Sequence, residues 1–246
     1  MRKLLLITCL MWLAFCSQSW APTSIATTNE GYIYKVTAVY LAARDATSGS
    51  GVGSTSSLQI GQDVSNYIIY RIFLSFVLPD MESISAASLF LYGKTDASTT
   101  DFYIYAYTST YADPITYEDY TRFSGWQTSG MYTGVNIIDA WDSATYSATW
   151  NELVFRTPYG LDSLFAKRND TFKMAALSRE DAIYSSAPTD AENIIFYSST
   201  TAGKEPYLSI TYSGGGPTGF AGKVSGVSTP AKVSGVALPL KISGVQ

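Results

Sequence analysis

The chain has 246 residues, a net charge of −4, 46% apolar and 14% aromatic residues, and only 15% charged residues. It has no histidine, which excludes histidine acid–base catalysis, Ser-His-Asp triads and histidine-ligated zinc. The acidic balance, with no Lys/Arg cluster anywhere, argues against nucleic acid as the main partner.

In chain order, Arg2 and Lys3 precede an apolar run from Leu4 to Phe15, the pattern of an export signal over residues 1–21. The run is too short to span a bilayer comfortably. Ser19-Trp20-Ala21 offers small residues for cleavage, but Pro22 would follow that cut, so cuts after Ser19 and Ala26 stay open. Leu13-Ala14-Phe15-Cys16 loosely resembles a lipoprotein box, with Phe15 too bulky for its position. Lipid anchoring and an uncleaved anchor therefore stand as alternatives to cleaved secretion. Membrane contact is expected through this segment alone, and residues 22–30 read as a linker. Both cysteines, Cys9 and Cys16, lie in the leader, so a mature domain would carry no disulfide and no thiol chemistry.

The body, residues 31–212, reads as strands. Gly31 to Leu41 is the first. Tyr67 to Leu78 is the clearest: Ile68, Tyr70, Ile72, Leu74, Phe76 and Leu78 share one face, with Arg71 and Ser75 on the other, a period of two. Ala86 to Lys94 sets Ala87, Leu89 and Leu91 against Ser88, Phe90 and Tyr92. Asp101 to Ser109 sets Phe102, Ile104 and Ala106 against Tyr103, Tyr105 and Tyr107. Further strands are expected at Thr133 to Asp139, Trp150 to Arg156, Thr171 to Leu177, Asn193 to Ser198 and Tyr207 to Tyr212, with a short helical turn over Gly160 to Lys167. Many short strands without long helical windows predict an all-β fold, a two-sheet antiparallel β-sandwich with jelly-roll-like connectivity. A β-solenoid is disfavoured because the body has no regular repeat.

Residues 213–246 differ in kind. After the glycine-rich break Ser213 to Pro217, three units recur every nine residues, beginning at Lys223, Lys232 and Lys241. So short a tail cannot bury a core. It is either a mobile low-complexity segment or a set of strands that pair with another chain, giving self-association through residues 223–246.

Three stretches carry a family likeness: Arg71 to Pro79, then Ile84 to Tyr92, then Glu205 to Tyr212 at the close of the domain. Their order resembles the DNRLRE-type extracellular domains and related alginate-binding carbohydrate modules. It is also similar to uncharacterised phage and environmental bacterial surface proteins. The resemblance implies a β-sandwich acting as a non-catalytic cell-surface, secreted or virion module.

The candidate ligand site is aromatic. Tyr103, Tyr105 and Tyr107 alternate along one strand, so their rings lie about 7 Å apart on one face, a spacing that suits stacking against sugar rings. The same face alternatively forms a surface tyrosine ladder or lies under a loop. The long segment from Tyr111 to Trp150 adds Tyr117, Tyr120, Trp126 and Trp141, as recognition residues or as core plugs. The carboxylates are scattered through turns without a calcium-loop pattern, so no cofactor is expected, with calcium possible. The resulting expectation is an exported carbohydrate-binding or adhesion module, secreted or at the cell surface, that contacts a polysaccharide. A structural protein of a surface layer, filament or virion is the alternative, and a glycan hydrolase or lyase the third reading.

Overall fold

The computed structural model describes residues 22–53, 56–183 and 187–214. The leader and the nine-residue repeats lie outside the described residues. The compact unit that holds every described residue ends at Gly214.

The fold grows from Ile68–Val77 (β5), a run of β-branched and aromatic residues without glycine or proline. Pro79 follows it, where a missing N–H ends the ladder. Along one edge β5 pairs with Asn29–Val36 (β2), which also holds the short Gly51–Val52 (β3). Along the other it pairs first with Ser57–Asp63 (β4) and then with Thr171–Ser178 (β10). Tyr103–Thr108 (β7) and Trp141–Asp142 (β8) continue from β10.

β4 leaves β5 at Gly61, whose φ is +114°, and runs on against Glu192–Tyr197 (β11). A Cβ at Gly61 would sit 1.9 Å from the Glu192 carbonyl oxygen, so the bend requires glycine. The fourteen-residue Ser83–Asp96 (β6) then pairs β11, Tyr207–Ser213 (β12) and Trp150–Val154 (β9) at different points along its length. Thr23–Ala26 (β1) adds to β12. Every pairing is antiparallel, and the twelve strands form one hydrogen-bonded sheet curled into a half-barrel. The all-β antiparallel fold is as expected. β4 pairs both β5 and β11, and β6 pairs β9, β11 and β12, so the strands expected to form two sheets are connected through shared strands.

Two further expectations change. Residues 22–30 hold β1 and the start of β2 and are not a linker. Residues 133–139 form no strand: the Asn136 side chain accepts from the Ala106 N–H where a ladder carbonyl would, and Ile137 and Asp139 then bridge to β7 and β9. The helical turn is found as Tyr159–Phe165 (α2).

The main core fills the inside of the curl, with Leu74 and Phe76 of β5 meeting Leu89 of β6, Phe196 of β11 and Leu208 of β12. A second core lies on the outer face of β2, β5, β10 and β7. There Ile33, Phe73, Tyr107 and Leu177 are covered by the short helices Tyr40–Arg44 (α1) and Arg179–Ala182 (α3) and by Tyr111, Tyr120, Phe123 and Tyr132. This cover explains why both faces of β5 are buried and why Arg71, on its polar-looking face, is fully enclosed.

Candidate functional site

The structure scatters the residues nominated from sequence. Tyr107 is buried in the second core with its ring 5.8 Å from that of Phe123, and burial pushes its hydroxyl pKa up. Tyr105 packs against the same core, so Tyr103, Tyr105 and Tyr107 do not form an open stacking platform. Tyr120 is fully enclosed and donates to the Ala43 carbonyl. Trp141 belongs to the main core, its ring 6.3 Å from that of Phe196. Trp126 is half-buried against the second core. Only Tyr103 and Tyr117 of the seven are exposed, at 36% and 51%.

Much of the second layer is instead organised by charge. Arg71 and Asp181 are both completely buried and form a two-point ion pair, with N–O distances of 2.7 and 2.8 Å. The remaining Arg71 donors go to the Tyr120 and Arg44 carbonyls and to the Tyr132 hydroxyl. The Tyr120 ring lies 3.8 Å beneath the guanidinium. Each guanidinium nitrogen has a partner and both side chains are fully buried, so this network fastens the second layer to the sheet and is closed to a ligand. Other carboxylates serve local roles: Asp119 accepts from the N–H groups of Ala112 and Thr116, and Asp142 caps a short helix. Among the described residues no group of three or more Asp, Glu, Cys or His side chains could hold a metal ion.

The open aromatic surface is elsewhere, on the outer face of β6, β9, β11 and β12. Leu89 and Leu91 of β6 point into the core, so Phe90 and Tyr92 point out. Register then sets Tyr207 opposite Phe90 and Trp150 opposite Tyr92. Phe90 and Tyr207 stack at 4.8 Å with 8° between planes. Trp150 meets Tyr207 edge-on at 4.9 Å and Tyr92 at 5.1 Å. Tyr197 of β11 adds a fifth ring, 5.9 Å from Tyr92. Each contact is worth about 0.5–1.5 kcal/mol beyond area burial, so the rings hold one another in place before any ligand arrives. Trp150 is the most open of the five, at 37%.

Polar groups edge this block. Lys204 Nζ lies 3.9 Å from the Tyr197 ring centre and 4.8 Å from that of Tyr92, with Lys94 Nζ 5.4 Å from Tyr197. On β9, Glu152 stands opposite Phe90 and accepts from the Ser88 hydroxyl at 2.7 Å. Desolvation, and secondarily the Glu152 charge, raises the Tyr207 hydroxyl pKa. The combination of flat rings with a carboxylate acceptor and ammonium donors suits a molecule with apolar ring faces and equatorial hydroxyls.

Sequence reasoning missed these five rings although it placed Phe90 and Tyr92 opposite the core residues of their strand. The local signal was an aromatic residue at a position where alternation points to solvent, which also holds for Trp150 and Tyr207. What joins the rings is cross-strand register between segments far apart in the chain. No family model and no curated protein matches this chain.

Proposed function

We propose that the protein is an exported, non-catalytic carbohydrate-binding or adhesion module whose contact surface is the outer face of β6, β9, β11 and β12. The observation that carries this reading is the chain of five touching rings on the outer face of the sheet, with Trp150 exposed. Sugar rings present apolar faces to such a surface, and hydroxyls reach the polar groups at its rim. The leader-like residues 1–21 support export. A glycan array with wild type, Trp150→Ala and Tyr92→Ala tests the reading. Wild type should bind selected glycans and both variants should bind them about two- to tenfold more weakly, the loss of one ring contact. An array without hits, or hits that both variants retain, refutes it.

One observation favours the assembly reading as a second possibility. Among the described residues, β1 pairs only with β12, so its outer edge offers backbone groups for another strand. Deleting residues 215–246 should then dissolve any oligomer seen by light scattering. An unchanged mass removes the idea.

A further inference from the structure

Charge at the rim of the aromatic block is mixed in sign. Lys204 lies over Tyr197 and Tyr92 and Lys94 over Tyr197, while Glu152 stands beside Phe90. Among the described residues these two lysines are the cations placed on the rings, and they sit at one end of the block. Beyond Phe90 the surface changes character. The next row is Ser88 with Ser209 and Val154 beside it, and the row after that is Ala86 with Thr211. These side chains are small, mostly hydroxyl-bearing and uncharged, and register places them on the same face.

We propose that the ligand of this face is an uncharged polysaccharide chain lying along β6, stacked on the exposed Trp150 ring, passing over the half-buried rings of Tyr92, Phe90 and Tyr207 and running over Ser88 and Ser209. This rests on the glycan-binding reading above and deepens it. A polyanion is held by clustered cations, and here it would pass over the Glu152 carboxylate, burying like charges against each other at high cost. A neutral sugar faces no such conflict. Glu152 accepts one hydrogen bond from Ser88 and has further lone pairs for sugar hydroxyls, while the lysine ammonium groups supply donors at the other end. The path from Tyr92 to Ala86 covers six residues of extended strand, about 20 Å. That is longer than one sugar ring, so affinity should grow with chain length.

Calorimetric titration of the full chain tests this with two series of oligosaccharides, from monosaccharide to hexasaccharide. Neutral gluco-, xylo- and manno-oligosaccharides form one series; oligogalacturonates and oligoguluronates form the other. At least one neutral hexasaccharide should bind about tenfold or more tighter than its disaccharide. Its affinity should be the same at low and high salt, since no ion pair is made. Glu152→Ala should weaken it about tenfold, the loss of a hydrogen bond to a charged acceptor, with an unchanged thermal melt showing that the variant folds. Binding of the acidic series alone, or equal affinity for every chain length, overturns this inference and leaves the glycan-binding reading standing. Failure of every sugar in both series overturns both.

Discussion

Replacing Asp181 with alanine leaves Arg71 charged, fully enclosed and without its counter-ion. Both side chains are completely buried, and the carboxylate supplies two of the guanidinium's hydrogen bonds. Its other partners among the described residues are two carbonyls, the Tyr132 hydroxyl and the rings of Tyr120, Phe123 and Tyr132, none of which carries a full negative charge. Breaking one side of such a buried pair costs about 3–5 kcal/mol. In a domain of this size each kcal/mol moves the melting point by about 2–4 °C, so Tm should fall by roughly 6–20 °C. Urea titration followed by tryptophan fluorescence, with thermal melts by circular dichroism, measures both. Arg71→Met and the double variant complete the cycle, and the double variant should lose less than the two single losses together by at least about 1 kcal/mol. A cost below about 1 kcal/mol for Asp181→Ala, or additive single losses, would mean that the carbonyls and rings alone stabilise the Arg71 charge.

Other substitutions probe other parts of the fold. Gly61→Ala should cost more than about 3 kcal/mol or prevent folding, because strain at positive φ adds to a backbone clash; a fully soluble variant with an unchanged urea midpoint would show that β4 can turn without glycine. Tyr105→Ala should lower the melting point by loss of packing in the second core yet leave glycan affinity unchanged, and a selective loss of affinity would return the site to β7. Burial pushes the Glu192 carboxyl above its ordinary 4.5, opposed by the hydrogen bond from Gln62, and it moves Glu30 and Glu180 the same way. An acid whose folded pKa is raised contributes stability below its unfolded pKa and loses it as pH rises through the folded value. Glu192→Gln should therefore gain on wild type as pH climbs above 4.5; a constant difference in unfolding free energy across that range would contradict it.

Alternation made most of the sheet legible. Strands expected at Tyr67 to Leu78, Ala86 to Lys94, Thr171 to Leu177 and Tyr207 to Tyr212 lie within three residues of their observed limits. Local pattern could not reveal that β5 is covered twice. Alternation places Arg71 only on the face opposite Ile72 and Leu74, and its partner Asp181 lies 110 positions away, beyond any local pattern. β4 escaped notice because Gly61 and two glutamines interrupt its apolar pattern, although the glycine is what lets the sheet bend. The Thr133 to Asp139 expectation failed for a related reason, since the Asn136 side chain takes a ladder position that period-two reading assigns to backbone. The tyrosines of β7 were read correctly as sharing a face, but what covers that face comes from other parts of the chain.

β1 and β12 run antiparallel, with Thr23 beside Ile210. The chain therefore enters and leaves the sheet at the same end, near Ser83, where Ser213 pairs. The five rings sit at the other end of β12 and β6, around Tyr207, Phe90 and Tyr92. Seven residues of strand separate Ser83 from Phe90, a span of about 24 Å. The rings therefore lie at the end of β6 and β12 away from the one at which the described chain begins and ends.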